Sequence, residues 1–337
     1  MDFKCAISWI KKCMDNERNN FLYICLFGGE PLLQFPLVKQ ICEWTWKQEW
    51  HIPYSFLLQT NGTVLNDDMR NWFRINKDRI CICLSIDGGR ETHNKNRNNS
   101  FDSIDIGFFQ SVWSNLPVKM TISKHNISAI KDDIVWLHEQ GFEIRGSNFA
   151  VGEGSLKEED FQIIREQLQL LSDYYIAHPT LNMAPILNIP LHLLVSYKSD
   201  KYINCRMGTN KLIVVNTDGS TSPCSYFSNI SLSMTEDDNL QQQLKTIDIK
   251  KSKCYISCAF FPICNVCYAE NYVETKDIYT PSWQRCKLMK ICILAAMYTM
   301  ANRIVKKKDV TYKDTLTIKT IKKYYQQLKT EVLYEEF

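Results

Sequence analysis

The first half of the chain alternates between apolar runs and segments in which apolar residues recur at helical spacing. The apolar runs have the length and composition of strands. They predict strands at 21–27, 54–60, 80–86, 117–123 and 142–147. The segments between them carry a polar residue or a proline at or near their starts, as helices do. They predict helices at 2–16, 36–49, 66–75, 103–113 and 128–140.

Five helix–strand pairs in this order predict an α/β fold, with a parallel sheet covered by helices. The run 80–86 is apolar on both faces, which fits a barrel better than an exposed sheet edge. The series begins on a helix, although a parallel sheet normally starts with a strand. Either helix 2–16 is an added element, or the strand that should precede it is absent.

The second half has a different character. Residues 151–204 predict a helical segment followed by an apolar stretch broken by Pro185 and Pro190, which we interpret as a bridge between domains. The region 205–286 is rich in cysteine and has few long periodic segments, apart from a hairpin signal with Asp218-Gly219 at its turn. We therefore expect domains at 1–150, 151–204, 205–300 and 301–337, the last being a Lys-rich, solvated helical tail.

Charge and composition limit the partners and the compartment. The 40 basic and 37 acidic residues give a net charge of +3, too balanced for nonspecific phosphate binding, so we expect no nucleic acid partner. Residues 1–20 lack a secretory signal, which predicts a cytoplasmic protein. The longest apolar run, 291–301, is shorter than the roughly 20 residues that a membrane span needs, so we expect no membrane partner.

Half of the 14 cysteines fall in one array within the second half. Its spacing is Cys205-x13-Gly219-x4-Cys224, then Cys254-x3-Cys258-x5-Cys264-x2-Cys267, then Cys286. Buried core thiols would show no regular spacing. Four thiolates at short spacing would also suit zinc, but seven divide awkwardly between two such sites, whereas an iron–sulfur cluster can leave one iron without a protein ligand. The count favours iron–sulfur chemistry.

This array resembles the SPASM domain, the auxiliary-cluster extension of radical S-adenosylmethionine (SAM) enzymes that mature peptides and proteins. The resemblance covers 205 to about 290 and implies two auxiliary [4Fe-4S] clusters. One would be held by Cys205, Cys224 and Cys267, and the other by Cys254, Cys258, Cys264 and Cys286. The four-cysteine group departs from the usual x2, x5, x3 spacing, and no eighth cysteine completes the first set.

The first half resembles the radical SAM barrel independently of the array. The motif Gly28-Gly29-Glu30 closes the first strand and resembles the family motif that holds the amino group of SAM. Two glycines at the carboxyl end of a strand allow the backbone to approach a ligand, and a carboxylate can pair with an ammonium group. The alternative is an ordinary Gly-Gly turn with a surface Glu.

Similar matches follow at the ends of later strands. Asn61 and Ser85 are implied SAM contacts, although Asn61-Gly62 and Asp87-Gly88 are also common turn formers. His93 and Arg97 have a His-x3-Arg spacing that the family often shows, but the composition around His93 predicts an exposed loop. The remaining thiols predict core positions: Cys5, Cys13, Cys25, Cys42, Cys81, Cys83 and Cys292.

The Cys-x3-Cys-x2-Cys motif that holds the SAM-cleaving cluster in the family does not occur in this sequence. Residues 2–16 resemble the helix that follows that motif. We therefore expect a partial (β/α)6 radical SAM barrel that lacks its first strand, followed by a small cysteine-rich SPASM domain. The missing piece would lie upstream of Met1.

The resemblance implies an enzyme that modifies a ribosomally made peptide or protein through hydrogen abstraction by a 5'-deoxyadenosyl radical. SAM and [4Fe-4S] clusters would be its cofactors, and a flavodoxin or ferredoxin its electron donor. This chain alone would be inactive. Sulfatase maturation is disfavoured, because such enzymes carry Asp after the cysteine that corresponds to Cys224, and Ser225 stands here. The alternatives are a non-catalytic iron–sulfur protein that binds a peptide or relays electrons, and an unrelated metal module.

Overall fold

The structure is a computed structural model of the 337-residue chain, and it describes all residues except 17–19, 151–155, 197–204, 208–210, 229–237, 246 and 335–337. Parts of the expected bridge and the last residues of the expected tail lie outside the described residues. The described chain forms two compact units. The N-terminal unit comprises Met1–Asn126, Asp132–Asn148 and Val215–Ser220, and the C-terminal unit comprises Ile127–Lys131, Phe149–Val214 and Thr221–Phe337. The four domain boundaries expected from the sequence stay predictions.

The strands and helices follow the predicted order with small shifts at their ends. The strands are β1 Leu22–Leu26, β2 Tyr54–Thr60, β3 Ile80–Ser85, β4 Pro117–Ile122, β5 Glu143–Phe149, β6 Val214–Val215 and β7 Thr221–Ser222. The α-helices are α1 Phe3–Met14, α2 Phe35–Trp46, α3 Asp67–Asn76, α4 Arg90–Asn96, α5 Ile106–Val112, α6 Ile130–Glu139, α7 Glu158–Ala177, α8 Leu193–Ser196, α9 Asp238–Lys245, α10 Lys253–Ser257, α11 Tyr268–Thr275, α12 Trp283–Val305 and α13 Tyr312–Tyr334. Short 3-10 helices lie at Pro31–Gln34, Phe101–Ser103, Ile127–Ala129, Ser225–Phe227, Ile249–Lys251 and Phe261–Ile263.

The main sheet has five strands in the order β1-β2-β3-β4-β5, and the first four are paired in parallel. It forms a curled half-barrel with helices, which confirms the predicted α/β class and the partial barrel. The pairs Leu26↔Leu58 and Thr60↔Leu84 bring the carboxyl ends of β1, β2 and β3 to one edge of the sheet. Loops after these strands must therefore be neighbours.

Packing in the N-terminal unit explains why these segments fold as they do. Phe56, Leu58, Ile82 and Leu84 on β2 and β3 are fully buried, and each such side chain contributes about 1.5–3 kcal/mol through burial. The helices have conventional starts: Asn66 caps α3 by accepting a hydrogen bond from the backbone N–H of Met69.

Strand β1 lies at the edge of the described sheet and pairs there only with β2. Alternate side chains of this strand are exposed, including Tyr23 and Cys25. The prediction that Cys25 is a core residue is therefore wrong, because no other part of the described chain covers its side of β1. Cys42, Cys83 and Cys292 are buried as expected, and Cys5, Cys13 and Cys81 are partly buried.

In the C-terminal unit the long helix α12 packs against α7 and α13. Helix α13 contains the Lys-rich tail and buries Leu316, Thr320, Leu328 and Val332. The interpretation of this tail as a solvated helix is wrong, since one face of it belongs to the core. The charged residues occupy the other positions of the helix and mask this apolar face in the composition.

Helix α12 is long and apolar enough to cross a membrane, and no other helix among the described residues is. Half of its apolar window is buried inside the fold. This is weak evidence for a span, because core helices of globular proteins pass the same test.

Candidate functional site

Glu30 joins the loops that follow β1 and β2. Its Oε1 accepts hydrogen bonds from Thr60 Oγ1 at 2.6 Å and from the backbone N–H of Leu32 at 3.0 Å. Its Oε2 accepts one from the backbone N–H of Asn61 at 2.8 Å. The two motifs that the sequence singled out therefore meet at one edge of the sheet, with the carboxylate already oriented by three donors.

The two glycines before Glu30 leave room beside the backbone. Gly28 has a φ of +152°, a conformation that favours glycine. A Cβ placed on Gly28 or Gly29 would meet no atom within 4 Å. A ligand can therefore approach this backbone, whereas at Gly62 a Cβ would lie 3.1 Å from Ile104. Glycine suits position 62 for two reasons. A side chain there would crowd its neighbours, and the turn needs a φ of +73°, which favours glycine.

Asn61 and Ser85 lie at the same edge as Glu30. The Oδ1 atom of Asn61 accepts hydrogen bonds from the backbone N–H and the hydroxyl of Thr63, both at 2.9 Å, as in a side-chain-stabilised turn. Ser85 ends β3 and is 7% exposed. The turn role considered for Asn61 is therefore present in the structure, and it uses the side-chain oxygen Oδ1.

Asp87 and the short helix α4 form a buried polar cluster beyond β3. Asp87 is 1% exposed and makes a two-point ion pair with Arg97, and its Oδ1 also accepts from the backbone N–H of Thr121 at 2.9 Å. His93 is fully buried on α4, so the expectation of an exposed loop is wrong. Its Nδ1 faces the backbone N–H of Asp87, and its Nε2 lies 3.2 Å from Ser100 Oγ. This His-x3-Arg pair supports the loop after β3.

Burial changes the protonation chemistry of this cluster. It lowers the pKa of His93 to about 4, with Asp87 opposing the shift and Arg97 adding to it. Asp133 on α6 packs behind the same loop, and burial raises its pKa to about 7. Its Oδ1 accepts from the backbone N–H of Gly89 at 3.1 Å, while its Oδ2 is buried without a hydrogen-bond partner among the described residues. No motif or spacing in the sequence singles out Asp133.

A cavity of about 320 Å³ opens at the opposite end of the sheet. It is lined by residues that include the starts of β2 and β3: Trp46, Tyr54, Ser55, Lys77, Asp78, Arg79, Ile80, Cys81 and Trp113. Ligands of parallel α/β folds bind at the carboxyl ends of the strands. This cavity is therefore separate from the candidate site formed by Glu30, Asn61 and Ser85.

The array thiols of the C-terminal unit divide into two groups by their mutual electrostatic influence. Burial, together with the charges of Cys258 and Cys286, raises the pKa of Cys254 to about 11. The pKa of Cys264 is raised by burial and by the same three thiols, Cys258, Cys254 and Cys286. These mutual electrostatic effects link Cys254, Cys258, Cys264 and Cys286.

The other three array thiols form the second group. Burial, together with smaller effects of the charges of Cys267 and Cys205, raises the pKa of Cys224 to about 11. All three pack against one apolar cluster that contains Met207, Phe227 and Tyr268. The groups coincide with the ligand sets that the SPASM resemblance implies, and the ligand assignment itself stays a proposal.

The thiols are not gathered around a single point. Among the described residues, no three His, Cys, Asp or Glu side chains are arranged closely enough to hold one metal ion. A [4Fe-4S] cubane has its four irons at alternate corners, and each iron takes its own cysteine ligand, so the ligands lie farther apart than around a single ion.

Arg285 lies near members of both thiol groups. Its charge lowers the pKa of Cys264 and of Cys267 against the larger effect of burial. The guanidinium donates through Nε and Nη2 to the carbonyl of Asn265, each at 3.1 Å, and lies 3.7 Å from Glu270. Arg285 directly precedes Cys286, which is a signal that the sequence offers. The spacing of the cysteines alone does not show which thiols surround the guanidinium.

Comparison with known proteins gives relatives by fold. No model of a known protein family matches the chain. The protein MJ0907 of Methanocaldococcus jannaschii, described as uncharacterized, is 24% identical over 262 residues, which is 76% of this chain and 85% of that protein.

Two solved structures resemble the chain over most of its length. The structure of anSMEcpe with bound AdoMet has a TM-score of 0.65 at 17% identity and covers 95% of this chain and 90% of its own. The structure of Streptococcus suis SuiB bound to S-adenosylmethionine has a TM-score of 0.56 at 18% identity. The match covers 85% of this chain and 70% of the SuiB chain. The chain therefore has the fold of these radical SAM enzymes, as its sequence motifs predicted.

Proposed function

We propose that the chain belongs to a radical SAM enzyme with auxiliary iron–sulfur clusters, which modifies a ribosomally made peptide or protein. The observation that carries this proposal is the match of fold over 95% of the chain to anSMEcpe with bound AdoMet. Fold alone does not define an activity. The side chains at the carboxyl edge of the sheet and the grouped thiols supply the chemical argument.

The residues at the carboxyl edge fit SAM. Gly28 and Gly29 leave open space beside their backbone, and Glu30 places a carboxylate at the same edge. Oε2 of Glu30 accepts one internal hydrogen bond and keeps a lone pair free, so it can accept from the SAM ammonium group without leaving its position. Asn61 and Ser85 would contribute neutral polar contacts.

The array fits two iron–sulfur clusters. Cys205, Cys224 and Cys267 would hold one, and Cys254, Cys258, Cys264 and Cys286 the other. Burial opposes ionisation of these thiols in the metal-free chain, and iron binding reverses this by stabilising the thiolate. We expect the clusters to link segments that otherwise share little apolar core, which makes metal binding part of the folding energy.

A SAM-cleaving cluster, where bound, would supply the one electron that breaks the sulfur–C5' bond of SAM, giving methionine and a 5'-deoxyadenosyl radical that would take hydrogen from the substrate. The chain's own residues would hold SAM at the carboxyl edge and exclude water from the site. A flavodoxin or ferredoxin would supply the electron.

A peptide is the substrate class with the most support. Structures of anSMEcpe with bound AdoMet and either the Cp18Cys or the Kp18Cys peptide share this fold, with TM-scores of 0.63 and 0.61. Ser225 stands directly after Cys224, where sulfatase-maturing enzymes carry Asp, so we propose a small precursor peptide instead of a sulfatase. We place the protein in the cytoplasm, where thiols stay reduced.

A second candidate function needs no cleavage of SAM. That cleavage requires the iron that the motif Cys-x3-Cys-x2-Cys holds in such enzymes, and this motif does not lie within the given sequence. A non-catalytic iron–sulfur protein that binds a peptide or relays electrons would show the same residues.

The two functions are separated by the DNA upstream of the Met1 codon. An in-frame Cys-x3-Cys-x2-Cys within about forty codons, a distance set by the size of one βα unit, would support the enzyme. The longer protein should then release 5'-deoxyadenosine from SAM when it is reduced anaerobically, and the chain printed here should not. A stop codon without that motif, together with iron in the purified chain, would favour the non-catalytic protein.

A further inference from the structure

Tyr268 carries a buried hydroxyl without a partner. It is the first residue of α11, it is 1% exposed, and its hydroxyl has no hydrogen-bond partner among the residues that the structure describes. A buried hydroxyl that makes no hydrogen bond costs about 1–3 kcal/mol. An unpaired polar group of this kind needs a physical explanation, and a bound group that the chain holds in its working state is one.

The surroundings of Tyr268 indicate what that group would be. Its ring belongs to an apolar cluster with Met207, Phe227 and Tyr272, and Cys205, Cys224 and Cys267 pack against that same cluster. The buried hydroxyl of Tyr268 is thus an O–H donor without an acceptor among the described residues, in the same cluster against which these three thiols pack.

We propose that the hydroxyl of Tyr268 donates a hydrogen bond to a sulfur atom of the cluster held by Cys205, Cys224 and Cys267, and thereby raises the reduction potential of that cluster. The inference rests on the proposed function, because it requires that these thiols hold a cluster. Reduction adds negative charge to the cluster and its sulfurs, and a donated hydrogen bond stabilises the reduced state more than the oxidised one. Tyr268 is therefore a positioning and tuning residue, and it acts without being a ligand.

The test uses the full chain, reconstituted anaerobically with iron and sulfide, and the variant Tyr268→Phe. This variant keeps the ring and removes only the hydroxyl. We expect unchanged iron and sulfide content and a lower potential for one of the two clusters, measured by reductive titration with electron paramagnetic resonance. A tenfold loss of the reduced form at a fixed potential corresponds to a shift of about 59 mV for one electron.

Tyr279→Phe is the matched control. Tyr279 packs against the same apolar cluster, and its hydroxyl already accepts a hydrogen bond from the backbone N–H of Asp248 at 3.0 Å. We expect its removal to leave both potentials unchanged. A ring-fluorinated tyrosine at position 268, which is a stronger donor, should shift the same cluster in the opposite direction from Tyr268→Phe.

Other outcomes would overturn the inference in different ways. Unchanged potentials in Tyr268→Phe at full iron content would refute the hydrogen bond and leave the proposed function intact. Loss of iron from that variant would also refute it, since Tyr268 would then be needed to hold the cluster. A wild-type chain that takes up no iron would overturn the proposed function itself.

Discussion

Asp87 and Arg97 form a two-point ion pair, with Nε to Oδ2 at 2.8 Å and Nη2 to Oδ1 at 2.9 Å. The Asp87 side chain is 2% exposed, so Arg97 neutralises a charge that water cannot reach. Because Asp87 lies two residues after Ser85, the last residue of β3, this pair fixes the loop next to the candidate SAM site.

Removing the cation should be costly. We expect Arg97→Ala to lower the free energy of unfolding by about 3 kcal/mol, since it leaves the Asp87 carboxylate buried and unpaired. Urea unfolding followed by tryptophan fluorescence measures this in the N-terminal unit, which contains every tryptophan except Trp283. Arg90→Ala is the matched control, because Arg90 pairs with Asp102 at the surface, and a loss of similar size in both variants would contradict the account.

The buried His93 and Asp133 should give the N-terminal unit two opposing responses to pH. The folded pKa of His93, about 4, lies below the ordinary 6.5, so its contribution to stability is lost as pH falls from about 6.5 to about 4. The folded pKa of Asp133, about 7, lies above the ordinary 3.8, so its contribution is lost as pH rises through about 4 to 7.

Single substitutions should separate these two effects. In Asp133→Asn the unfolding free energy should increase with pH between about 4 and 6.5, by at most about 1.4 kcal/mol per pH unit. In His93→Gln it should decrease with pH over the same range. Urea unfolding at a series of pH values would show both slopes, and equal slopes in the two variants would refute the assignment.

Glu30 should contribute to SAM binding through its carboxylate, which also joins the loops after β1 and β2. Glu30 accepts three hydrogen bonds from Leu32, Thr60 and Asn61. In Glu30→Gln the amide N–H2 group would face either the backbone N–H of Asn61 or the donors on Leu32 and Thr60, so one of these hydrogen bonds is lost. We expect SAM affinity of the reconstituted protein to fall about tenfold, as loss of a charge-assisted contact implies. Calorimetric titration measures this.

Glu43→Gln is the control for that measurement. Glu43 accepts a hydrogen bond from Trp72 Nε1 at 2.9 Å, which a glutamine carbonyl can replace. Its SAM affinity should match the wild type. If Glu30→Gln also bound SAM as the wild type does, the role of Glu30 would be limited to joining the two loops.

The two thiol groups should lose iron independently. Cys264→Ser should retain about four irons per chain, as should Cys267→Ser, and the double variant should retain none, because in the proposed assignment each thiol would hold a different cluster of four irons. The control is Cys292→Ala, which removes a buried thiol of α12 outside the array. It should keep the full iron content. Loss of all iron from either single variant would show one shared site.

The strands were predictable because their signal is local. Each apolar run of the first half became a strand within two residues of its predicted ends, and the parallel order followed from the alternation with helices. The meeting of Glu30 with Asn61 was also predictable, since carboxyl ends of neighbouring parallel strands share an edge.

Features that depend on tertiary contacts were not predictable. Helix α4 has almost no apolar residue, and it is held by the burial of His93 and by the Asp87–Arg97 pair, which lies outside its own sequence pattern. Tyr268 and Arg285 show no periodic signal either. Their significance comes from the thiols around them, which only the folded chain brings together.

We propose above all that the array holds two iron–sulfur clusters. Iron, acid-labile sulfide and zinc can be counted in the anaerobically reconstituted full chain, and Mössbauer spectra identify the type of iron site. The account predicts about eight irons and eight sulfides per chain in two [4Fe-4S] clusters. Zinc in place of iron, or about four irons in a single cluster, would contradict it.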